Sequence, residues 1–264
     1  MSTVIRTWNV FHGMSSPPDR HSYLRQVVQL ATEDEPDVVC LQEVPAWALD
    51  RLGAWSGMQV FGAVAKRPLL PRELGRTLTA LNQGLLRSLL VGQANAILLR
   101  QGLRAVATDM LVLNPPSFRR RVSRELGLPA NTRRRWAKER RVCHAVRLAL
   151  PDGRTMTVAN LHATSYRIDE RLADAEVLRA AVFLDAVAAP NDIAVLAGDF
   201  NLVTDRSPAL AEIAAWGFSL PGRGIDHILV RGATTSPERR WPEERRVIDG
   251  ALVSDHAPVE LELE

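Results

Sequence analysis

Short polar motifs follow apolar runs at several places along the chain, and their side chains are those that bind hard cations and move protons. The six motifs are Asn9, Leu41-Gln42-Glu43, Asn160-Leu161-His162, Gly198-Asp199-Phe200-Asn201, Gly224-Ile225-Asp226-His227 and Ser254-Asp255-His256. Because α/β proteins place ligands at the carboxyl ends of their strands, we expect these side chains to share one site.

Oxygen donors dominate this set, and magnesium and manganese are divalent cations that prefer oxygen ligands. The candidate metal ligands are Asn9, Glu43 and Asp255. Hydrolysis of a phosphate ester also needs a positioned water, neutralised phosphate oxygens and relief of charge on the leaving oxygen. The candidates for those tasks are His162, Asp199, Asn201 and His256. The pattern predicts transfer of a phosphoryl group to water with Mg²⁺ or Mn²⁺.

Each motif alone has an ordinary structural explanation. Gly198-Asp199-Phe200-Asn201 could be a turn, since glycine, aspartate and asparagine all favour turns. Glu43 could be a solvated strand end or lie in the first turn of a helix that begins near Pro45. A single histidine such as His162 or His256 is more often structural than catalytic. The functional interpretation therefore depends on the motifs occurring together.

Seven apolar runs predict the strands that position the motifs. They are residues 4–11, 38–41, 94–99, 155–161, 193–197, 225–230 and 259–263. Between several of them, residues 23–31 and 171–187 carry apolar side chains at helical spacing. This alternation predicts an α/β fold. No long linker rich in Pro, Gly or Ser interrupts the sequence, so we expect one domain over residues 1–264.

The composition is typical of a soluble globular protein, with 264 residues, 46% of them hydrophobic, and a net charge of +3. No apolar run approaches the roughly 20 residues of a membrane span. The two cysteines, Cys40 and Cys143, are too few for a disulfide framework or a cysteine metal site. The N-terminal sequence lacks the pattern of a signal peptide. These features predict a cytoplasmic protein.

Two stretches are predicted to be insertions, near residues 66–92 and 115–141. The first carries leucines near one face of a helix, at Leu74, Leu78, Leu81, Leu85 and Leu89. Such a helix either packs on the core or, because it also carries arginines, lies on an anionic membrane surface.

The second insertion is rich in arginine, with ten basic residues between Phe118 and Arg147 and only Glu125 and Glu139 to oppose them. It is either a solvated surface or a groove for a phosphate backbone. In the second case Arg133, Arg134 and Arg135 would contact phosphates, and Trp136 would stack on a base of a single strand.

In this order the six motifs resemble the endonuclease/exonuclease/phosphatase superfamily. This superfamily includes deoxyribonuclease I, apurinic endonucleases of the exonuclease III type, neutral sphingomyelinases and inositol polyphosphate 5-phosphatases. The resemblance covers nearly the whole chain and implies a four-layer α/β sandwich, in which helices flank two packed mixed β-sheets. His162 places the chain nearer the deoxyribonuclease I and neutral sphingomyelinase branches than the apurinic endonucleases.

The resemblance also implies roles for the metal and water residues. Glu43 is implied to be the principal ligand of Mg²⁺ or Mn²⁺, with Asn9 and Asp255 completing or supporting the shell. Asp199 is implied to orient or deprotonate the attacking water. Asn201 is implied to hold a phosphate oxygen.

The histidines are implied to handle charge and protons. His256 would act as an acid/base or stabilise developing charge, with Asp226 fixing its ring. His162 would stabilise the phosphate or protonate the leaving group. His227, next to Asp226, is expected to be structural.

The superfamily acts on several substrates, so its fold alone does not choose among them. The arginine-rich insertion favours a nuclease that uses in-line water attack, with nucleic acid as its partner. The alternatives are a phospholipid phosphodiesterase at a membrane or an inositol phosphate phosphatase. A catalytically inactive scaffold is disfavoured because every motif position is filled. The sequence gives no indication of a protein partner.

Overall fold

Two mixed β-sheets organise the chain in a computed structural model that describes residues 2–69, 71–81 and 90–264. Each sheet belongs to its own unit. The first unit comprises Met1–Leu103 with Thr234–Glu264, and the second comprises Arg104–Ala233. The single domain expected over residues 1–264 stays a prediction.

The secondary structure alternates between strands and helices along most of the chain. In chain order the described strands are β1 (Thr3–Asn9), β2 (Val38–Val44), β3 (Gln59–Lys66), β4 (Gln93–Leu99), β5 (Arg104–Val112), β6 (Val142–Ala149), β7 (Thr155–His162), β8 (Ile193–Asp199), β9 (Asp226–Arg231), β10 (Arg239–Arg240), β11 (Val247–Ile248), β12 (Ala251–Leu252) and β13 (Val259–Leu263). The described α-helices are α1 (Leu24–Thr32), α2 (Leu49–Ser56), α3 (Arg72–Leu81), α4 (Pro116–Glu125), α5 (Ala130–Lys138), α6 (Glu170–Val187) and α7 (Pro208–Ala215).

The first unit contains a six-stranded sheet in the order β10-β13-β1-β2-β4-β3, besides a small β11-β12 ribbon. Strands β1 and β2 run parallel, and the other described neighbours in this sheet are antiparallel. Helix α1 lies between the two parallel strands in sequence, which makes a βαβ connection. Val27 of α1 and Leu52 of α2 pack with Trp8 and Leu41 of the sheet in one buried core.

The second unit contains a five-stranded sheet in the order β5-β6-β7-β8-β9. Here β7 and β8 are the parallel pair, joined through α6, and the other described neighbours are antiparallel. Helix α6 begins after Asp169, whose side chain accepts a hydrogen bond from the backbone N–H of Arg171. Val177 of α6 and Leu210 of α7 pack with Leu196 of β8 in the core of this unit.

The predicted fold class is confirmed, because both sheets are mixed and carry helices. The seven predicted strands correspond to β1, β2, β4, β7, β8, β9 and β13. The first predicted run is too long: β1 ends at Asn9, and Phe11 and His12 turn the chain with positive φ angles of 48° and 55°. Strands β3, β5 and β6 and the two-residue strands β10, β11 and β12 are additional to the prediction.

The arginine-rich stretch forms helices α4 and α5, which pack through a small apolar cluster of their own. In the leucine-rich stretch, Leu74 lies on α3 with 54% of its surface exposed. Leu85 and Leu89 lie outside the described residues, so the choice between core and membrane stays open. None of the helices in the described ranges combines the length and apolar composition that crossing a membrane requires.

Candidate functional site

In the first unit, predicted site residues lie at the carboxyl ends of the two parallel strands. Asn9 ends β1 and pairs in register with Gln42 of β2, which directly precedes Glu43. The carboxyl ends of parallel strands are where α/β proteins bind ligands. The βαβ connection therefore brings Asn9 and Glu43 to the same edge of the sheet.

Local backbone geometry sets the direction of the Glu43 carboxylate. Glu43 has a positive φ of 54°, and the pairing of β2 with β4 is irregular between Leu41 and Val44. A left-handed conformation is unfavourable for a residue with a side chain, so it marks a position that the surroundings impose. The Glu43 side chain stays 22% exposed, and its Oε2 lies 3.7 Å from Nε2 of His12.

Hydrogen bonds join the last motif to the end of β1. Ser254 is fully buried, and its Oγ donates to the backbone carbonyl of Asn9 at 2.7 Å. The same Oγ accepts from the backbone N–H of His256 at 3.0 Å. The Oδ1 of Asn9 accepts from the backbone N–H of Phe11 at 3.1 Å. Asn9 and Ser254-Asp255-His256 are therefore held together.

Two further donors fix the backbone of the same motif. The indole Nε1 of Trp8 donates to the carbonyl of His256 at 2.9 Å, and the buried guanidinium of Arg246 donates to it at 3.1 Å. Arg246 also donates to the carbonyl of Ser254. The Asp255 side chain remains 46% exposed, with its Oδ1 3.9 Å from Nε2 of His256. The structure thus fixes the main chain and leaves the carboxylate accessible.

The candidate metal ligands of this unit fit a hard divalent cation. Glu43 and Asp255 offer partly exposed carboxylates, and Asn9 offers an amide oxygen. Oxygen donors of this kind suit magnesium and manganese, whereas structural zinc prefers cysteine and histidine.

In the second unit, three predicted residues stand side by side across neighbouring strands. His162 of β7 pairs in register with Asp199 of β8, and Asp199 pairs with Asp226 of β9. Directly opposed residues project from the same face of a sheet. All three are buried, and Nε2 of His162 lies 3.3 Å from Oδ2 of Asp199.

The turn after β8 orients the Asp199 carboxylate. Its Oδ1 accepts from the backbone N–H of Asn201 at 3.0 Å, and Nδ2 of Asn201 donates to the carbonyl of Ala163 at 3.2 Å. Gly198 has a φ of 141°, and a Cβ there would lie 2.0 Å from the carbonyl oxygen of Leu161. This segment is a turn, as its composition allows, and that turn fixes the predicted reactive groups.

Arg141 joins this group, although the sequence indicated it only as one of many arginines. Its Nη1 lies 3.1 Å from each ring nitrogen of His162, and its Nη2 donates to the Glu139 carboxylate. The side chain is only 10% exposed. A guanidinium is a preferred partner for phosphate oxygens. The available sequence signal was its position directly before the apolar strand β6, which neighbours β7.

His227 lies in the core of the second unit, and its structural role stays a prediction. Its ring is fully buried, with Nε2 3.3 Å from the carbonyl oxygen of Leu202. Phe200 meets it edge to face, with ring centroids 5.3 Å apart.

Trp136 requires a correction. Its side chain is 0% exposed and packs with Phe118 and Leu172, and its Nε1 donates to Oε1 of Glu176 at 2.7 Å. A ring with no accessible face does not stack on a base. The neighbouring Arg133, Arg134 and Arg135 are exposed, in agreement with their place on the outer side of α5.

Glu176 is the buried acceptor that the sequence did not indicate. Besides Trp136, it accepts from Nδ2 of Asn114 at 2.9 Å and from the backbone N–H of Thr164 at 2.6 Å. Burial raises its pKa, while the hydrogen bonds from Trp136 and Thr164 and the charge of Arg141 act in the opposite direction. This carboxyl fixes α5 to α6.

Comparison with known proteins agrees with the fold. Three solved structures resemble the chain in fold. Humanized TDP2 of D. rerio with 14 mutations has a TM-score of 0.65 and 16% identity, over 100% of this chain and 99% of that chain. A functionally unknown conserved protein from Enterococcus faecalis V583 has a TM-score of 0.69 and 18% identity, over 99% of each chain. An endonuclease/exonuclease/phosphatase from Beutenbergia cavernae DSM 12333 has a TM-score of 0.68 and 18% identity, over 100% of this chain and 71% of that chain. No curated protein matches the sequence.

The family model of the Endonuclease/Exonuclease/phosphatase family matches residues 7–256. This range includes every motif from Asn9 to Ser254-Asp255-His256. Membership and fold together support a hydrolase that acts on phosphate ester bonds. The chain therefore belongs to the endonuclease/exonuclease/phosphatase family.

Proposed function

We propose that the chain is a divalent-metal-dependent phosphodiesterase that cleaves nucleic acids by in-line attack of water. One observation carries the proposal: each unit holds its motif residues in defined geometry at the ends of its parallel strands. The proposal gives each of these residues the role that is expected for a member of this family.

Asn9, Glu43 and Asp255 would hold the metal ion. When bound, Mg²⁺ or Mn²⁺ supplies positive charge that offsets the charge developing on the phosphate. The φ of Glu43 and the anchoring of Ser254 prepare these donors before the ion binds. Such preparation reduces the reorganisation that binding requires.

Asp199 orients the attacking water and accepts its proton. Its carboxylate is already fixed by the N–H of Asn201, so only one direction of approach suits proton transfer. The side-chain amide of Asn201 has two N–H groups, of which one donates to Ala163 and the second can donate to a phosphate oxygen.

His162, Arg141 and His256 handle charge on the phosphate and the leaving oxygen. His162 presents a ring nitrogen to a phosphate oxygen, and Arg141, 3.1 Å from both ring nitrogens, positions that ring. His256 delivers a proton to the leaving group or stabilises its charge. Asp226 takes the role implied for it by the family, that of a carboxylate that selects a histidine tautomer.

Nucleic acid is the proposed substrate because the exposed arginines of α4 and α5 offer charge to a phosphate backbone. A specific observation favours a second candidate, a phospholipid phosphodiesterase. Leu69 and Leu74 of the first unit are 68% and 54% exposed, and exposed leucines near arginines are typical of membrane-surface segments.

A substrate panel separates the candidates. The purified protein is tested on single- and double-stranded DNA, RNA, abasic duplex, sphingomyelin, phosphoinositide and inositol phosphate, each with magnesium, with manganese and with chelator. We expect metal-dependent cleavage of nucleic acid. Turnover of lipid or inositol phosphate without cleavage of nucleic acid would contradict the nuclease assignment.

Substitutions test the assigned residues. Glu43→Ala, Asp199→Ala and His256→Ala should each reduce hydrolysis by at least about 100-fold, since each removes a group that acts in the transition state. Thermal unfolding should confirm that the variants remain folded. Full activity in any one folded variant removes that residue from the mechanism.

A further inference from the structure

Helices α4 and α5 form a cleft whose lining residues take no part in the proposed chemical step. One face of α4 contributes residues at spacings of three and four, namely Pro116, Arg119, Arg120, Ser123 and Arg124, and α5 contributes Arg133. The cleft has a volume of about 450 Å³. That volume lies within the range of about 300 to 1,000 Å³ typical of ligand sites.

The charge of this arginine cleft is unbalanced. Among the residues that the structure describes, neither Arg120, Arg124 nor Arg133 has a carboxylate within 4 Å, and Arg119 donates to the carbonyl of Asn114. The acidic side chains of the insertion lie with other partners: Glu125 is 3.7 Å from Arg121, and Glu139 binds Arg141. Because like charges one helical turn apart repel, Arg120 and Arg124 favour a bound anion between them.

The cleft rests on a fixed base. Phe118 and Val122 of α4 pack with Trp136 of α5 and Leu172 of α6. The Trp136–Glu176 hydrogen bond attaches α5 to the same helix. The arginines therefore project from helices whose opposite faces are buried, and a ligand meets an arrangement that is already formed.

We propose that the arginine cleft binds the phosphodiester backbone of a nucleic-acid strand and holds that strand as substrate. The identity of the strand as substrate rests on the proposed function, whereas the binding itself does not require hydrolysis. The spaced guanidinium groups match a chain of phosphates better than one isolated anion.

The lining residues also define what the cleft does not recognise. None of the six is aromatic, so bases do not stack there and binding is independent of sequence. Among the described residues, the large exposed hydrophobic side chains all lie outside α4 and α5. A membrane surface would favour such side chains beside the arginines. The lack of large exposed hydrophobic side chains on the described parts of α4 and α5 therefore favours a nucleic-acid strand over a lipid.

Binding is measured by fluorescence anisotropy with a labelled 20-nucleotide oligothymidylate in chelator. The triple variant Arg120→Gln, Arg124→Gln and Arg133→Gln removes cleft charge. The matched control, Arg25→Gln with Arg51→Gln and Arg104→Gln, removes three exposed arginines that lie outside α4 and α5. The cleft variant should bind the oligonucleotide about 100-fold more weakly than wild type at about 0.1 M salt. The slope of its log affinity against log salt concentration should fall by about 2. The control variant should lose less than about threefold in affinity.

The outcomes separate this inference from the proposed function. Equal loss in both triple variants would overturn the cleft, because general surface charge would then explain binding. Binding to phosphatidylserine vesicles without binding to the oligonucleotide would overturn it too. With Mg²⁺ or Mn²⁺, all three proteins should hydrolyse the small diester bis(4-nitrophenyl) phosphate equally. If the protein hydrolyses the diester but does not bind the strand, only the proposal for the cleft is wrong. If binding depends on the cleft but no hydrolysis occurs, only the proposed function is wrong.

Discussion

At the scale of single residues, the second unit concentrates opposite charges in a small buried space. His162 lies 3.3 Å from Asp199, and Arg141 lies 3.1 Å from both ring nitrogens of His162. Burial removes water from charged groups, and this loss costs free energy even when the charges are paired. Positions with such an arrangement are frequently functional.

Replacing Arg141 tests this interpretation, with Arg141 as a positioning residue for His162. Arg141→Gln should lower kcat by about 10- to 100-fold with little change in KM, because a small displacement of the His162 ring lowers the rate of the chemical step. The ring ¹⁵N shifts of His162 should change as well. The exposed Lys138 at the end of α5 provides the control, since Lys138→Gln should alter neither. An unchanged kcat in folded Arg141→Gln would remove the positioning role.

The sequence identified the charged groups of the motifs but not their partners. Asp199 and His162 end apolar runs, so their place at a strand end followed from hydrophobic pattern. Arg141 and Glu176 come from segments far apart in sequence, and only tertiary packing reveals which of many charged residues meet. The arginines beside Trp136 favour a groove in which the indole stacks on a base, but Thr132 and Trp136 form the buried face of α5.

At the scale of elements, the parallel strand pair of each sheet determines where the motif residues lie. In the second unit the strands β7 and β8 approach closely at Gly198, where any side chain would overlap Leu161. The hydrophobic pattern predicted both strands because their cores are apolar. It did not predict β5, most of which is exposed at the edge of its sheet.

Gly198→Ala should therefore destabilise the second unit strongly. A Cβ 2.0 Å from a backbone oxygen forces the strands apart, and the positive φ adds strain of about 1 to 3 kcal/mol. Gly153→Ala is the control, because Gly153 also has a positive φ, of 86°, but has open space around its Cβ position. Chemical denaturation compares the two, and equal losses of unfolding free energy would argue against a close approach at Gly198.

Trp136→Ala should destabilise the α4–α5 pair by about 3 to 5 kcal/mol, the usual cost of removing a buried aromatic side chain. It also leaves Glu176 without its indole donor. Arg135→Ala, next to it on the exposed side of α5, should change the unfolding free energy by less than about 0.5 kcal/mol. A mild effect of Trp136→Ala would indicate that the ring is more accessible than the structure shows.

At the scale of the whole molecule, each unit contains an acid-sensitive anchor that joins distant parts of its sequence. In the first unit, Arg6 donates to Asp34 and Glu260, and its hydrogen bonds lower the pKa of Asp34 to about 2. In the second, burial of Asp192 is outweighed by hydrogen bonds from Arg147, Thr155 and Thr157, which lower its pKa. These contacts are between segments far apart in sequence, and the sequence alone did not indicate them.

The pH dependence of stability follows from the sign of these shifts. The pKa of Asp34 is lower in the folded state than its usual value of 3.8. The stability that the charged carboxylate contributes is therefore fully present above that value. It is lost as the pH falls from about 4 to about 2. Tm should therefore drop over this window, and Asp34→Asn should flatten the drop. As a control, replacing the exposed Asp205 with asparagine should leave the dependence of Tm on pH as in the wild type. If Asp34→Asn showed the same drop in Tm as the wild type, the contacts of Arg6 with Asp34 would not be the acid-sensitive element.

The most direct test of the central claim, a metal-dependent hydrolase, is the dependence of the rate of DNA cleavage on magnesium concentration. Wild type should be inactive in chelator. Glu43→Gln should need at least about 10-fold more magnesium for half-maximal rate, as expected when a metal ligand is weakened. Asp199→Asn should lower the maximal rate with little change in that concentration. Cleavage that persists in chelator, or a Glu43→Gln protein with the magnesium dependence of wild type, would contradict the account.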